Sequence, residues 1–239
     1  EDEVFIDLPE ECGVPDGYCG QLVYWLYGFR PAAAAWEKHY SQLLEGAGFV
    51  RGQSCGVVFC HQERALSLVV HGDDFTISGA DEDLDWFRDE IQQNMDVKFR
   101  ARLGPDHFDD KSVRILNRVV EWTKDGIIYE ADQRHGEIII RELGLDTRRN
   151  AVVTPGIVMK SDEQKDVQGW DESTYRSIAA RRNYLAQDRP DLQFAVKESC
   201  KKMANPEPDD WSIVKRIGRY LIGAGRLLLK FSKQGLPDD

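Results

Sequence analysis

Between Leu66 and Ser78 the sequence alternates with a period of two. Leu66, Leu68 and Val70 are separated by Ser67 and Val69 and followed by His71, and Phe75 and Ile77 alternate with Thr76 and Ser78. Successive side chains of a strand point to opposite faces, so each run has one apolar face to bury. His71-Gly72-Asp73-Asp74, between the two runs, is rich in turn formers. The pattern is that of a β-hairpin, and it obliges the chain to build antiparallel sheet with two carboxylates at a turn.

Helical spacing surrounds this hairpin. Pro31, four alanines and Trp36-Glu-Lys-His-Tyr40 predict a helix with Pro in its first turn, ending near Gly46 or Gly48. Leu84, Phe87, Ile91 and Met95 predict a second, with Asp81 as N-cap. Val113 to Val120 and Ile127 to Tyr129 are strand-like, with Lys124-Asp125-Gly126 as the turn between them. Asp132 to Leu143 reads as a helix closed by Gly144. Asp146 to Gly169 is a polar connector, and the domain boundary falls there: residues 1–160 form one domain and 161–239 a helical one. In the latter, helices are expected over Tyr175–Ala186, Asp191–Met203 and from an Asp209 or Asp210 cap onward, with Leu227–Phe231 as a closing strand. The fold class is α+β.

The 239 residues are 41% hydrophobic and 31% charged, which is the composition of a globular chain. No apolar run approaches the ~18–20 residues of a membrane span, so no membrane partner is expected. The sequence opens Glu1-Asp2-Glu3, without Met or a basic leader, and reads as part of a longer intracellular chain, in a cytoplasmic particle or the nucleus and not secreted. The net charge of −11 speaks against a general nucleic-acid coat. That total hides a division: residues 1–172 carry −16 and residues 173–239 carry +5. Two surfaces with different partners explain this, as does chance clustering on solvated helix faces. Cys12, Cys19, Cys55, Cys60 and Cys200 are odd in number and contain no C-x-x-C. They read as reduced, mostly buried thiols; a zinc site from the first four is the alternative, though their spacing matches no standard ligand pair.

Two adjacent carboxylates repel, so a site that keeps both ionised usually supplies a cation. Hard oxygen donors suit Mg²⁺, which takes one or two carboxylates together with substrate phosphates. Gly-Asp-Asp is also an ordinary turn sequence, and that reading stays open here. Asp109-Asp110, Asp209-Asp210 and Asp238-Asp239 are further acid pairs, read as loop, cap and tail.

His71-Gly-Asp-Asp-Phe-Thr-Ile-Ser-Gly79 resembles the catalytic hairpin of copia-type retrotransposon reverse transcriptases, Tyr-Val-Asp-Asp followed by apolar residues and Gly. Leu26-Tyr-Gly-Phe-Arg-Pro-Ala-Ala-Ala-Ala-Trp36 resembles that family's Leu-Tyr-Gly-Leu-Lys-Gln-Ala-Pro-Arg-Ala-Trp block. Glu3 to Pro9 looks like the stretch that precedes the block. Thr154-Pro155, Tyr175-Arg-Ser177, Arg189-Pro-Asp191, Trp211 and Arg219-Tyr-Leu221 match later landmarks in order.

The resemblance implies a right-hand polymerase: partial fingers and palm over 1–160, then a thumb-like helical part over 161–239. It implies an RNA-directed DNA polymerase using two Mg²⁺, with Mn²⁺ as a possible substitute. The partners implied are an RNA or DNA template–primer duplex, deoxynucleoside triphosphates, and flanking integrase and ribonuclease H segments of a polyprotein. Asp73 and Asp74 take the places of the palm acids, Asp73 as the more direct ligand. Tyr27, Gly28 and Arg30 fall near template and nucleotide, with His71 and Gly72 beside the acids. Lys98 matches, weakly, a basic residue near the pyrophosphate, and otherwise reads as a solvated charge. Arg176, Arg181, Arg182, Lys197, Lys201, Lys202, Lys215, Arg216 and Arg219 are expected to grip duplex backbone. Arg189 is expected to pair structurally with an acid.

The sequence also departs from the family. Its third metal acid would precede Glu3, so this segment by itself is expected to be inactive. Pro31, Ala33 and Ala34 replace Gln, Pro and Arg, and His71 and Gly72 replace Tyr and Val. His71 either contacts a primer end or is a tolerated turn residue. The alternative function is a catalytically degenerate remnant that binds nucleic acid or protein. An acidic interaction module in which the turn is only a turn is the reading from another class.

Overall fold

Strand pairing starts early in the chain. Phe5–Asp7 (β1) and Cys19–Gln21 (β2) form an antiparallel ribbon in the computed structural model, which describes residues 3–145, 151–156 and 169–233. Ala32–Gly46 (α1) follows Pro31, and its alanines are the strongest helix formers available. Val50–Arg51 (β3), Val58–His61 (β4), Leu66–His71 (β5) and Asp74–Ser78 (β6) form an antiparallel sheet in the order β3-β4-β5-β6. Asp81–Asn94 (α2) completes this part. Its N-cap is Ala80 and not Asp81. Asp81, Glu82 and Asp83 lie in the first turn instead, where negative charge suits the positive end of the helix.

The alternation works as the sequence predicts: Leu66, Leu68 and Val70 are buried while Ser67, Val69 and His71 are exposed. With Phe59, Phe49, Tyr40 and Leu44, and with Phe87 and Ile91 of α2, they make one core. Each such side chain contributes about 1.5–3 kcal/mol on burial.

Ser112–Ile115 (β7), Arg118–Thr123 (β8) and Gly126–Glu130 (β9) form a second antiparallel sheet. It is followed by Arg134–Glu142 (α3), Glu172–Ala186 (α4), Pro190–Cys200 (α5) and Asp210–Gly223 (α6). Leu228–Ser232 (β10) is the closing strand that the sequence predicts, and it pairs with β9. The run from Val113 to Val120 is two strands and not one. Ile115 pairs with Arg118 around Leu116-Asn117, both with positive φ (49° and 67°). That is the type I′ geometry, which follows the twist of a hairpin. A second core gathers Ile139, Tyr175, Ile178, Leu192, Val196, Trp211, Val214, Ile217 and Leu221 from all four helices.

The chain divides into two compact units between Phe99 and Arg100. The sequence-based boundary after residue 160 lies outside the described residues, as does most of the polar connector. The second sheet belongs with the helices because its side chains are tied to them. The Arg118 guanidinium pairs with the Asp188 carboxylate at 2.8 Å, and the Tyr129 hydroxyl donates to the same carboxylate at 2.6 Å. Burial, reinforced by that hydrogen bond, pushes the Tyr129 phenol up to about 12. Arg189 pairs with Asp191 through two contacts, 2.9 and 2.8 Å, as expected. It also donates to the carbonyls of Ala224 and Gly225, so it caps the end of α6 as well.

Candidate active site

In the hairpin, His71 pairs with Asp74, which leaves Gly72-Asp73 as a two-residue loop. Gly72 has φ +60° and Asp73 is not in the left-handed region. Gly at the first central position with positive φ is the type II′ arrangement, favoured between twisted strands. Asp73 is thus a loop residue and Asp74 the first residue of β6, both exposed. As cross-strand partners, His71 and Asp74 share a face of the sheet.

A contact from α1 fixes the loop. The Trp36 indole N–H donates to the Gly72 carbonyl at 2.9 Å. The Trp36 ring meets Tyr40 edge-on at 5.7 Å, and Tyr40 meets Phe75 at 6.2 Å. One helix therefore holds both the backbone of the turn and the strand that leaves it. The sequence showed Trp36 only as the end of a motif. Its bond spans 36 residues, and no local pattern reports such a contact.

Tyr27, Gly28 and Arg30 lie in the loop that leads into α1, and all three are exposed. Gly28 has φ +95°.

The donor set at the turn is two exposed carboxylates, chemically suited to a hard divalent cation. Among the described residues, no group of three or more His, Cys, Asp or Glu side chains could hold a metal ion. The pair therefore fits part of a metal site and does not complete one. Cys12, Cys19, Cys55 and Cys60 are exposed and Cys200 is half-buried, which corrects the expectation of buried thiols.

The basic residues divide sharply. Arg182 is wholly buried and Lys215 is 6% exposed, so neither presents its charge to a duplex; both are corrections to the sequence reading. They lie on the core faces of α4 and α6, where composition alone cannot separate an inward from an outward cation. Arg181 is half-buried, 3.9 Å from Glu142. Arg216 donates to the Thr154 hydroxyl at 2.9 Å, and Arg219 is half-buried. Arg176 binds Glu172 and the carbonyls of Met203 and Ala204. Lys197, Lys201 and Lys202 are exposed, as is Lys98.

Comparison with known proteins gives one consistent result. The chain is 27% identical over 228 residues to the retrovirus-related Pol polyprotein from transposon RE2 of Arabidopsis thaliana, covering 93% of this chain. A second, from transposon RE1 of the same plant, is 26% identical over 227 residues, again 93% of this chain. The chain is related to a segment of retrotransposon Pol polyproteins. It spans about 15% of the length of each of these two Pol relatives. A stretch of 53 residues, 22% of the chain, is 40% identical to the uncharacterized mitochondrial protein AtMg00810 of the same plant, again covering 22% of that protein. No family model matches, and no solved structure matches. The Pol relationship runs through both compact units, since it covers nearly the whole chain. Among the described residues, no helix is long and apolar enough to cross a membrane.

Proposed function

We propose that this chain is the palm and thumb-like part of a reverse transcriptase, an RNA-directed DNA polymerase carried in a retrotransposon polyprotein. The observation that carries the reading is the Asp73-Asp74 turn, clamped by Trp36 and set in a chain similar over 93% of its length to Pol polyproteins. Asp73 and Asp74 would hold Mg²⁺, or Mn²⁺ in its place. Bound there, the cation would supply charge neutralisation at the triphosphate and acidify a primer 3′-hydroxyl.

The chain's own residues do the positioning. The type II′ turn fixes where the two carboxylates stand, and rigid strands hold them there. A further carboxylate is needed for two ions, and we assign it to an upstream strand of the parent polyprotein. Template–primer and deoxynucleoside triphosphates are the substrates on this reading. Tyr27, Gly28 and Arg30 border the template, and integrase and ribonuclease H segments flank the chain.

Mg²⁺-dependent extension of a primer on an RNA template, by a version of the chain extended upstream, tests the reading. Extension that survives Asp73→Asn unchanged removes the assignment.

A second reading has its own observation. Arg182 is buried, with Nη1 and Nη2 lacking hydrogen-bond partners among the described residues, and Pro31, Ala33 and Ala34 lack the polar groups of the family block. A degenerate remnant that binds nucleic acid or protein without chemistry tolerates such faults. Duplex binding without extension, even with the upstream strand restored, is its signature.

A further inference from the structure

The buried face of α4 meets the end of α5 at Cys200. The Cys200 thiol donates to the Ala179 carbonyl at 3.8 Å, and the Tyr175 hydroxyl donates to the neighbouring Ser199 carbonyl at 2.8 Å. Arg182, one turn beyond Ala179 on the same face of α4, is wholly buried. Its Nε donates to the Ile178 carbonyl at 3.4 Å, while Nη1 and Nη2 have no hydrogen-bond partner among the described residues. Burial pushes this guanidinium down to about 10, and Tyr175 and Cys200 stand close enough to oppose the shift. The group stays charged at neutral pH, so two idle nitrogens in a core are strong donors without an acceptor. A thiol sulfur is a weak acceptor and does not meet that need. Cys12, Cys19, Cys55 and Cys60 are exposed; Cys200 is the cysteine that is partly enclosed, with a buried cation beside it.

We propose that Cys200 is an oxidation site: a hydroperoxide converts its thiol to a sulfenate, and the added oxygen accepts hydrogen bonds from Nη1 and Nη2 of Arg182. The sulfur attacks one peroxide oxygen, so an S–O bond forms and the O–O bond breaks. The sulfur gives up two electrons and the peroxide takes them. The thiol proton leaves with the departing oxygen, as water from hydrogen peroxide. The sulfenic acid then releases its own proton to solvent, which leaves an anionic oxygen facing the guanidinium. Charge-assisted bonds of this kind are roughly twice as strong as neutral ones. Placing a new charge in a core ordinarily destabilises it. Here a cation is buried already, and the new anion gives it a partner. Oxidation thus ties α4 to α5 through a bond that a reducing thiol removes. No step depends on the polymerase reading.

The test uses the chain with Cys12→Ser, Cys19→Ser, Cys55→Ser and Cys60→Ser, treated with hydrogen peroxide. Dimedone trapping and peptide mass spectrometry place the modification, and urea unfolding is followed before and after treatment. Cys200 is expected to take up one oxygen, and dithiothreitol to remove it. The oxidised chain is expected to unfold at a midpoint about 0.5–1 M higher in urea than the reduced one. In Arg182→Leu the same oxidation is expected to lower the midpoint, because the new anion has no buried partner. Circular dichroism establishes that each variant is folded. Should Arg182→Leu fail to fold, Arg182→Lys replaces it, and a smaller rise than in the parent is expected. Cys200 left unoxidised by peroxide that modifies Cys60 in the wild-type chain overturns the proposal. So does a midpoint that falls or stays fixed when Cys200 is oxidised beside Arg182, or an equal rise in parent and variant.

Discussion

Arg182 occupies a position where α4 otherwise presents apolar side chains. Tyr175, Ile178, Ala179, Leu185 and Ala186 share the buried face with it. Burial pushes its guanidinium down to about 10, a shift that the nearby Tyr175 opposes; Nε donates to the Ile178 carbonyl, and among the described residues Nη1 and Nη2 have no hydrogen-bond partner. An uncompensated buried charge costs more than its packing returns. Arg182→Leu is therefore expected to stabilise the chain by about 2 kcal/mol, read as a higher denaturant midpoint with unchanged slope. A lower midpoint would contradict this expectation. A sequence reader places an arginine in an amphipathic helix on its wet side by default, and at Arg182 and Lys215 that default fails.

His135 belongs to the same scale. Its ring lies 4.6 Å from that of Tyr184, and among the described residues its buried Nδ1 has no hydrogen-bond partner. Burial lowers its pKa from the ordinary 6.5. The Asp132 carboxylate opposes that shift, while Arg181, Arg134 and Arg118 reinforce it. The folded state therefore prefers the neutral ring. Its contribution is fully present above the unfolded value of 6.5 and is lost as pH falls through the lower folded value. Denaturation midpoints at pH 7.5 and 5.5 are expected to differ less in His135→Asn than in wild type. An equal difference in both contradicts the assignment.

At the scale of elements, the strands β5 and β6 were legible to within a residue, His71 and Asp74 being strand ends and not part of the loop, because alternation with one buried face leaves no freedom of register. The β7–β8 turn was not legible. Leu116 and Asn117 are joined to strand-like runs on both sides, and a leucine at φ +49° violates the preference that turn rules rely on. Such a conformation costs about 1–2 kcal/mol in a non-glycine residue. Replacing Leu116→Asn together with Asn117→Gly keeps the turn type and removes much of that cost. Equilibrium unfolding should show a gain of about 1 kcal/mol; a loss would mean that the Leu116 side chain is itself needed. Gly126 is constrained for another reason. A Cβ there would collide with the Phe231 carbonyl oxygen, so close approach of β10 requires glycine.

The tie between α1 and the hairpin is also an element-scale contact. Trp36→Phe keeps an aromatic ring and removes the N–H that reaches Gly72. A net loss of about 1 kcal/mol is expected, with faster amide exchange at the turn than in the strands. Exchange unchanged at Gly72 and Asp73 would show that the bond does not hold the turn.

For the whole molecule, the charge division and the relationship to retrotransposon Pol polyproteins were visible in sequence, while the division between Phe99 and Arg100 was not. The polar stretch from Asp146 marked a boundary by composition, yet the second sheet associates with the helices that follow it, through Asp188 and the β9–β10 pairing. Long-range pairing of this kind leaves no local trace. The acid pair was legible as a turn. That its backbone is clamped by α1, and that no third acid stands with it among the described residues, came only from the structure.

On the proposed reading, Asp73 and Asp74 hold a catalytic cation in a polymerase. Primer extension on an RNA template with Mg²⁺, by the upstream-extended chain and its Asp73→Asn variant, tests it most directly. Extension by the parent that chelation abolishes is expected, with a loss of about 100-fold or more in the variant at equal thermal stability. Equal extension by both, or a parent that binds duplex and never extends a primer, would contradict it.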